Sequence, residues 1–262
     1  MITSVQNPRV KAVRKLHEPK WRKREGLFLL EGTALVEEAA RSKWPLEAVF
    51  ATGDWLKRHD LDGMIVEEVS DPVLSALSTL ESPEGVVATA RLPGDAPLPD
   101  VQHGSLWVVA DAIQDPGNLG AIIRSADAAG ADAILCGPGT ADPFGPKAVR
   151  ASMGSVLHLP IVSVPDLDAA HETARHADPR HGGMRWIALA PRAGKSLYEA
   201  DLCGPIALWL GNEAAGLSSD ALGQADEVVT VPMPGRAESL NAAASAAVVL
   251  FEAVRQRMRL RG

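Results

Sequence analysis

The sequence predicts an α/β protein with a mostly parallel sheet, and three observations support this class. Short apolar segments typical of buried strands alternate with segments of helical periodicity along most of the chain. Segment 106–110 (LWVVA) is apolar throughout, as expected for a strand covered on both faces. Residues 92–104 are rich in proline, glycine and aspartate and separate two α/β runs. We therefore expect two domains, residues 1–92 and 105–262, joined by a linker at 93–104.

The first run predicts the smaller domain, in which helices and strands alternate. Pro8 and Pro72 each fit the first position of a helix, where the missing N–H group has no intrahelical partner. The predicted helices are 8–24, 33–41 and one beginning at residue 71, and the predicted strands are 27–30, 46–51, 64–69 and 85–90.

The second run predicts the parallel sheet and the position of a ligand site. Its predicted strands are 106–110, 133–136, 156–162, 186–190, 206–210 and 227–231, and its predicted helices are 118–129, 146–152, 167–176 and 240–258. Ligands of such sheets bind beyond the carboxyl ends of the strands. This rule singles out the loops that follow Ala110, Leu210 and Val231.

The charge is unevenly distributed. The whole chain has a net charge of −7, yet segment 9–24 carries eight basic residues and a single glutamate. A basic segment on an acidic body indicates either a local contact with a polyanion or a solvated helix face, and charge alone leaves both open. Trp21, within this segment, can stack on a base or pack in the small domain, and both alternatives stay open.

Composition excludes several classes of protein. No apolar run approaches the ~20 residues that a membrane-spanning helix needs, and the first residues lack the apolar core of a secretory signal. Cys136 and Cys203 are too few for a disulfide scaffold or a four-cysteine zinc site. We expect a cytoplasmic protein with reduced thiols, no membrane partner and no bound metal.

The first candidate loop, residues 111–124 (DAIQDPGNLGAIIR), combines a turn with a helix start. Asn118 lies near the start, where it can cap the helix or bind a ligand. Arg124 follows six residues later, somewhat less than two helical turns away. The alternative is a capped helix with one surface arginine. The loop lacks the glycine pattern GxGxxG, which disfavours a dinucleotide site.

The other two loops also place polar side chains and glycine at strand ends. In 208–217 (LWLGNEAAGL), Gly211 permits a close approach to a flat ligand, and Asn212 and Glu213 supply polar groups. In 231–241 (VPMPGRAESLN), Ser239 and Asn241 precede a helix of very small residues that can pack closely on a neighbour. The alternatives are a plain turn for the former loop and a helix N-cap for Ser239.

Together the three loops resemble the signature motifs of the SpoU (TrmH-like) family of RNA ribose methyltransferases. The motifs DPGNLGAIIRSA, LGNEAAGL and VPMPGRAESLNAAASAA occur in the family's order, and 147–155 (KAVRASMGS) is also similar. The N-terminal part resembles the family's L30e-like substrate-binding domain through Asn7-Pro8, Arg24-Glu25-Gly26 to Phe28, and Glu31-Gly32. The resemblance implies an N-terminal L30e-like domain and a C-terminal methyltransferase domain with a trefoil knot.

The resemblance also implies an activity, a cofactor and a set of site residues. The activity is S-adenosylmethionine-dependent methylation of a ribose 2′-hydroxyl in structured RNA, ribosomal RNA rather than transfer RNA, by a homodimer formed through the catalytic domain. Its implied catalytic residues are Asn118, Arg124, Glu213, Ser239 and Asn241. Its implied cofactor-binding residues are Gly211, Asn212, Val231, Met233 and Leu240. With the basic segment, it implies RNA contacts at Arg9, Lys11, Arg14, Arg22, Lys23 and Arg24.

Two roles for Arg124 and three other functions remain as alternatives. The family proposal makes Arg124 the base that takes the hydroxyl proton, whereas a pKa above ~12 favours an arginine that grips a phosphate and orients the ribose. The other functions are methylation of transfer RNA, RNA binding without catalysis, and a small-molecule α/β enzyme. The intact motif residues disfavour the second of these, and the missing phosphate-binding glycine loop disfavours the third.

Overall fold

The computed structural model describes residues 1–59, 66–177 and 183–260. The strands are β1 (Leu27–Glu31), β2 (Leu46–Thr52), β3 (Val66–Val69), β4 (Val86–Arg91), β5 (Leu106–Ala110), β6 (Ala133–Cys136), β7 (Ile161–Ser163), β8 (Arg185–Leu189), β9 (Lys195–Ser196), β10 (Ile206–Leu210) and β11 (Glu227–Thr230). The helices are α1 (Pro8–Lys15), α2 (Pro19–Glu25), α3 (Thr33–Arg41), α4 (Gly53–Leu56), α5 (Asp71–Leu77), α6 (Pro116–Ala128), α7 (Pro146–Ala151), α8 (Leu167–His176), α9 (Ser219–Gln224) and α10 (Ala242–Leu260).

The chain forms two compact units. The N-terminal unit comprises Met1–Gly94 and Asp142–His158, and the C-terminal unit comprises Asp95–Ala141 and Leu159–Gly262. Segment Asp142–His158, which the sequence analysis placed in the second domain, therefore makes its contacts mainly within the N-terminal unit. The predicted domain boundaries stay a prediction.

The N-terminal unit is built on a four-stranded mixed sheet. Its strand order is β1-β4-β2-β3, with β4 antiparallel to both neighbours and β3 parallel to β2. Val10 of α1, Leu16 just after it and Leu77 of α5 pack with apolar side chains of the sheet such as Phe50. The face of α1 away from this core is left exposed, and it carries the basic side chains.

The predicted single helix 8–24 is in fact two helices, and this prediction was wrong. Proline lacks the N–H group that a helix interior requires, and it forces the preceding residue out of the helical region. Glu18, before Pro19, accordingly has φ −97° and ψ 134°. α1 therefore ends at Lys15 and α2 begins at Pro19.

The C-terminal unit is built on a seven-stranded sheet in which every neighbouring pair is parallel. The strand order is β7-β6-β5-β10-β8-β11-β9. Every residue of β5 and β10 is buried, as the continuous apolar runs require. β5 and β10 are neighbours although they are far apart in sequence. The loops at their carboxyl ends are therefore brought side by side.

Other differences from the predicted elements have local causes. The expected strand 156–162 is a 3₁₀ turn at Ser155–Leu157 followed by the shorter strand β7, since Pro160 has no N–H group to pair. α4, α9 and β9 were not predicted. The first two residues of the predicted strand 64–69 lie outside the described residues. The trefoil knot stays a prediction, whereas the mostly parallel sheet is confirmed.

No helix in the described part of the chain is long and apolar enough to cross a membrane.

Candidate active site

The loops after β5 and β10 are tied together at the carboxyl edge of the seven-stranded sheet. The N–H of Asp111 donates to the carbonyl oxygen of Leu210 at 2.8 Å, which continues the parallel ladder beyond the strands. The Nδ2 group of Asn212 donates to the carbonyl oxygen of Ala112 at 2.9 Å. These bonds hold two of the three candidate loops in a fixed register.

Glu213 connects the same two loops through its carboxylate. Its oxygens accept from the N–H groups of Gln114 and Asp115 at 3.1 and 3.2 Å, and from Nδ2 of Asn118 at 3.0 Å. Partial burial raises the pKa of Glu213, but the bonds from Asn118 and from backbone N–H groups outweigh it and lower that pKa. Glu213 is therefore an ionised acceptor at neutral pH, at the start of α6.

Asn118 links Glu213 to the third loop. Its Oδ1 accepts from Nδ2 of Asn241 at 2.9 Å, so the side chains of Asn241, Asn118 and Glu213 form a continuous chain of hydrogen bonds. We call these three side chains the polar relay. It joins three loops that are far apart in sequence, and it fixes the orientation of the Asn118 amide.

The helix caps near the polar relay come from other residues than expected. Asp115, rather than Asn118, caps α6, because its Oδ1 accepts from the N–H of Asn118 at 2.9 Å. Asn241, rather than Ser239, accepts from the first N–H groups of α10, at 2.9 Å from Ala243. The alternative of Ser239 as an N-cap was therefore wrong. Neither Asn118 nor Ser239 therefore serves as a helix cap.

Arg124 lies on α6 apart from the polar relay. Its side chain is exposed and makes no hydrogen bond or ion pair with any of the described residues. The structure therefore shows no hydrogen bond between Arg124 and Asn118, Glu213 or Ser239. An unpaired guanidinium on the surface is available to an anionic ligand such as a phosphate.

A cleft of about 370 Å³ lies beside the polar relay, within the ~300–1,000 Å³ typical of ligand pockets. All five predicted cofactor residues line it: Gly211, Asn212, Val231, Met233 and Leu240. Glu213 and Ser239 line it as well, whereas Asn118, Arg124 and Asn241 do not. Its other lining residues include Leu189, Leu210, Leu217 and Leu222. The cleft thus combines an apolar wall with a few polar groups.

The loop 211–216 forms the backbone wall of the cleft. Oδ1 of Asn212 accepts from the N–H groups of Ala214 and Ala215, both at 2.9 Å, and Gly216 has φ +71°. A Cβ atom on Gly211 would lie 2.4 Å from the carbonyl carbon of Gly216, so only glycine fits. The tight packing of Gly211 against Gly216 thus fixes the backbone of 211–216 along this side of the cleft.

Sequence reasoning missed two charged residues of the cleft, Arg192 and Glu238, along with uncharged lining residues such as Pro191 and Ala193. Arg192 lies in the loop after β8, and its Nη2 is 2.9 Å from Oε1 of Glu238. The signal for Arg192 was available, because β8 belongs to the same parallel sheet and its carboxyl end faces the same edge. No sequence feature distinguished Glu238 from other exposed glutamates.

Two titratable groups near this edge are perturbed by burial. Burial raises the pKa of Asp111, and the hydrogen bond from Nε1 of Trp209 at 3.2 Å only partly opposes it. Burial lowers the pKa of His171, whose Nε2 has no hydrogen-bond partner among the described residues. Neither side chain lines the cleft. Among the described residues, no group of three or more His, Cys, Asp or Glu residues could hold a metal ion.

The N-terminal unit carries the predicted basic surface, with one correction. Arg9, Lys11, Arg14, Lys23 and Arg24 are exposed. Arg22 is only 3% exposed; it donates to the carbonyl oxygen of Leu16 at 2.7 Å and to Asp142 at 2.6 Å. This placement argues against an RNA contact for Arg22, contrary to the prediction, because its guanidinium is used within the fold.

Trp21 lies among the basic side chains and is half-buried. The Nζ atom of Lys15 is 4.5 Å from the ring centroid, and the guanidinium carbon of Arg24 is 4.9 Å from it. Cation–π contacts of this kind hold the ring at the surface of α2. They leave both earlier alternatives for Trp21 open.

The chain matches the SpoU rRNA Methylase family over residues 105–251 and the MRM3-like substrate binding domain over residues 7–88. It is similar to the 23S rRNA (guanosine(2553)-2′-O)-methyltransferase RlmP of Bacillus subtilis, at 34% identity over 95% of this chain and 97% of that protein. It is also similar to the 23S rRNA (uridine(2479)-2′-O)-methyltransferase of Streptomyces viridochromogenes, at 35% identity over 90% and 85% of the two chains.

Solved structures with the same fold include S-adenosylmethionine complexes. The SpoU methyltransferase AviRb of Streptomyces viridochromogenes, in complex with that cofactor, aligns with a TM-score of 0.86 and 32% identity over 97% and 99% of the two chains. A cofactor-bound rRNA methyltransferase of Sinorhizobium meliloti aligns with a TM-score of 0.84 and 33% identity over 97% of both chains. The resemblance seen in the motifs is confirmed, and the chain belongs to the SpoU rRNA methylase family.

Proposed function

We propose that this protein transfers a methyl group from S-adenosylmethionine to a ribose 2′-hydroxyl of ribosomal RNA. One observation carries the proposal: the polar relay, built from three separate loops, lies beside a cleft lined by every predicted cofactor residue. The relatives named above support the choice of ribosomal RNA, since both are 23S rRNA 2′-O-methyltransferases. The related solved structures with bound S-adenosylmethionine support the choice of cofactor.

S-adenosylmethionine supplies the methyl group on a positively charged sulfur. The backbone of 211–216, with Val231, Met233 and Leu240, would hold it, because these residues form the apolar and backbone walls of the cleft. Asn212 stiffens the loop through its bonds to Ala214 and Ala215.

The polar relay and Arg124 are assigned to the RNA. Asn118 is fixed by Glu213 on one side and Asn241 on the other, so its amide is oriented before RNA arrives. Arg124, which has no partner among the described residues, binds a phosphate next to the target ribose and stabilises the developing negative charge on the 2′-oxygen. The 2′-oxygen releases its proton to solvent as it bonds to the methyl carbon, and the bond between that carbon and sulfur breaks to leave a neutral thioether. Ser239, on the cleft wall, contacts the target nucleotide. Holding both reactants in position supplies much of the acceleration in such a reaction.

The exposed basic residues of α1 and α2 are assigned to the RNA backbone. Within the described part of the chain, Lys11, Arg14, Lys23 and Arg24 form no ion pair with another element, whereas Arg9 pairs with Glu67 and can exchange that partner for a phosphate. Trp21, held among these cations, is assigned to stacking on an accessible base.

We also propose a homodimer formed through the C-terminal unit, in the cytoplasm. The exposed apolar side chains Phe251 and Met258 on α10 support this interface. The reduced state of Cys136 and Cys203 is compatible with that compartment.

The test uses purified protein, S-adenosylmethionine with a labelled methyl group, and RNA from cells that lack the gene. We expect label in ribosomal RNA, in a 2′-O-methylated nucleotide that resists alkaline hydrolysis. RNA from cells that carry the gene is the matched control and should take up little label, because its site is already modified. Label on a base, label confined to transfer RNA, or no label would contradict the proposal.

A further inference from the structure

The cleft contains a single positively charged side chain, that of Arg192, among the described residues that line it. Arg192 is in the loop between β8 and β9. The charged lining residues other than Arg192 are Glu213 and Glu238, both acidic. An anionic group that enters the cleft therefore has one side chain with which it can form an ion pair.

The backbone around Arg192 holds it in an unusual conformation. Arg192 has φ +58°, a region that residues other than glycine and asparagine rarely adopt. Its N–H donates to Oγ1 of Thr230 at 3.2 Å, at the end of β11. Gly194 has φ +84°, and a Cβ atom there would lie 2.1 Å from the carbonyl oxygen of Val228. Residues in such conformations are found preferentially at sites that clamp a ligand.

The present partner of Arg192 is easily displaced. Nη2 of Arg192 lies 2.9 Å from Oε1 of Glu238, and the two side chains are 64% and 78% exposed. Ion pairs with this degree of exposure contribute little stability, because water solvates both charges well. A carboxylate held more deeply in the cleft can therefore replace Glu238 as the partner of Arg192.

We propose that Arg192 binds the α-carboxylate of S-adenosylmethionine and exchanges Glu238 for it when the cofactor enters. This inference rests on the proposed function. S-adenosylmethionine has two positively charged groups and one carboxylate, so the carboxylate requires a donor in a cleft that otherwise holds two acidic side chains. The planar guanidinium suits a carboxylate because it can donate two parallel hydrogen bonds.

The test compares two ligands that differ only in the carboxylate: S-adenosylmethionine and its decarboxylated form. Calorimetric titration measures the Kd of each for the unsubstituted protein and for Arg192→Gln. We expect Arg192→Gln to raise the Kd of S-adenosylmethionine by about 10- to 100-fold, the effect of losing a charge-assisted hydrogen bond. The Kd of the decarboxylated ligand should change less than about twofold, since it has no group for Arg192.

Glu238→Gln tests the exchange from the other side, since it removes the present partner of Arg192. We expect it to lower the Kd of S-adenosylmethionine, because Arg192 no longer has a competing partner, and a raised Kd would contradict the exchange. Equal weakening of both ligands by Arg192→Gln would overturn the proposal and indicate a loop that merely shapes the cleft. Unchanged Kd values of both ligands in Arg192→Gln would also overturn the proposal, whether or not the variant binds RNA more weakly. Absence of S-adenosylmethionine binding by the unsubstituted protein would instead refute the proposed function itself.

Discussion

Gly211→Ala is the substitution for which the geometry gives the sharpest expectation. The added Cβ would lie 2.4 Å from both the carbonyl carbon of Gly216 and the nitrogen of Leu217. Ordinary contacts between such atoms are ~3.5 Å or more, so the turn must open by about 1 Å. All three of these residues line the cleft. The substitution therefore moves one wall of the proposed cofactor site.

The size of the effect follows from the cost of forcing atoms into a packed region. Overpacking of this kind costs about 1–3 kcal/mol. Alanine also stiffens the unfolded chain, which returns about 0.4–1 kcal/mol. We expect a net loss of stability of up to about 2.6 kcal/mol in urea unfolding. We also expect S-adenosylmethionine to bind about 5- to 100-fold more weakly in calorimetric titration, because the displaced backbone contacts the ligand.

Gly223→Ala is the matched control. Gly223 lies in α9, and nothing lies within 4 Å of a Cβ atom built on it. It should stabilise the protein by about 0.5–1 kcal/mol, because alanine is the better helix former, and leave cofactor binding unchanged. If Gly211→Ala bound S-adenosylmethionine as tightly as the unsubstituted protein, the assignment of 211–216 to the cofactor would be refuted.

Three further substitutions test separate parts of the account. Arg124→Lys should lower kcat by about 100-fold or more with little change in the Kd of S-adenosylmethionine, since a point charge cannot replace a planar guanidinium; near-normal turnover would contradict its role. Arg22→Met should destabilise the N-terminal unit by about 3–5 kcal/mol, because it leaves Asp142 without its ion-pair partner. Lys23→Met is the control at an exposed position, and it should change stability by less than ~0.5 kcal/mol but weaken RNA binding. Glu252, whose hydrogen bond from Arg255 lowers its pKa to about 2, stabilises the fold above its unfolded pKa near ~4.3. The stability advantage of the protein over Glu252→Gln in urea unfolding should therefore shrink as pH falls from ~4.5 towards 2, and a constant difference would contradict the ion pair.

The strands of the parallel sheet were predictable because burial on both faces leaves a strong sequence signal. β5, β6 and β10 have the predicted bounds, and all their residues are buried. β9 has only two residues, and its pairing with β11 depends on tertiary contacts that no local pattern records. The break between α1 and α2 had a local signal in Pro19, which the continuous basic pattern obscured.

The sequence motifs predicted the individual residues of the candidate site but not the hydrogen bonds between them. Asn118, Glu213 and Asn241 stand in recognisable motifs, yet their hydrogen bonds depend on β5 and β10 being neighbours. The burial of Arg22 could not be predicted, because its partner Asp142 is 120 residues away. The Arg192–Glu238 pair joins two exposed side chains of separate loops, and exposed charges carry no burial pattern that would reveal a pairing.

The claim central to this account is that the loops after β10 and β11 line one site for S-adenosylmethionine, and that the polar relay ties the loop after β5 to it. Hydrogen exchange of backbone N–H groups, followed by mass spectrometry with and without the cofactor, tests it most directly. We expect the cofactor to slow exchange in 211–217 and 231–241 together, with a smaller effect in 111–118, where the polar relay transmits order from Glu213 to Asn118. Helix α3 of the N-terminal unit should be unaffected. Slower exchange in only one of these loops, or chiefly elsewhere, would contradict the account.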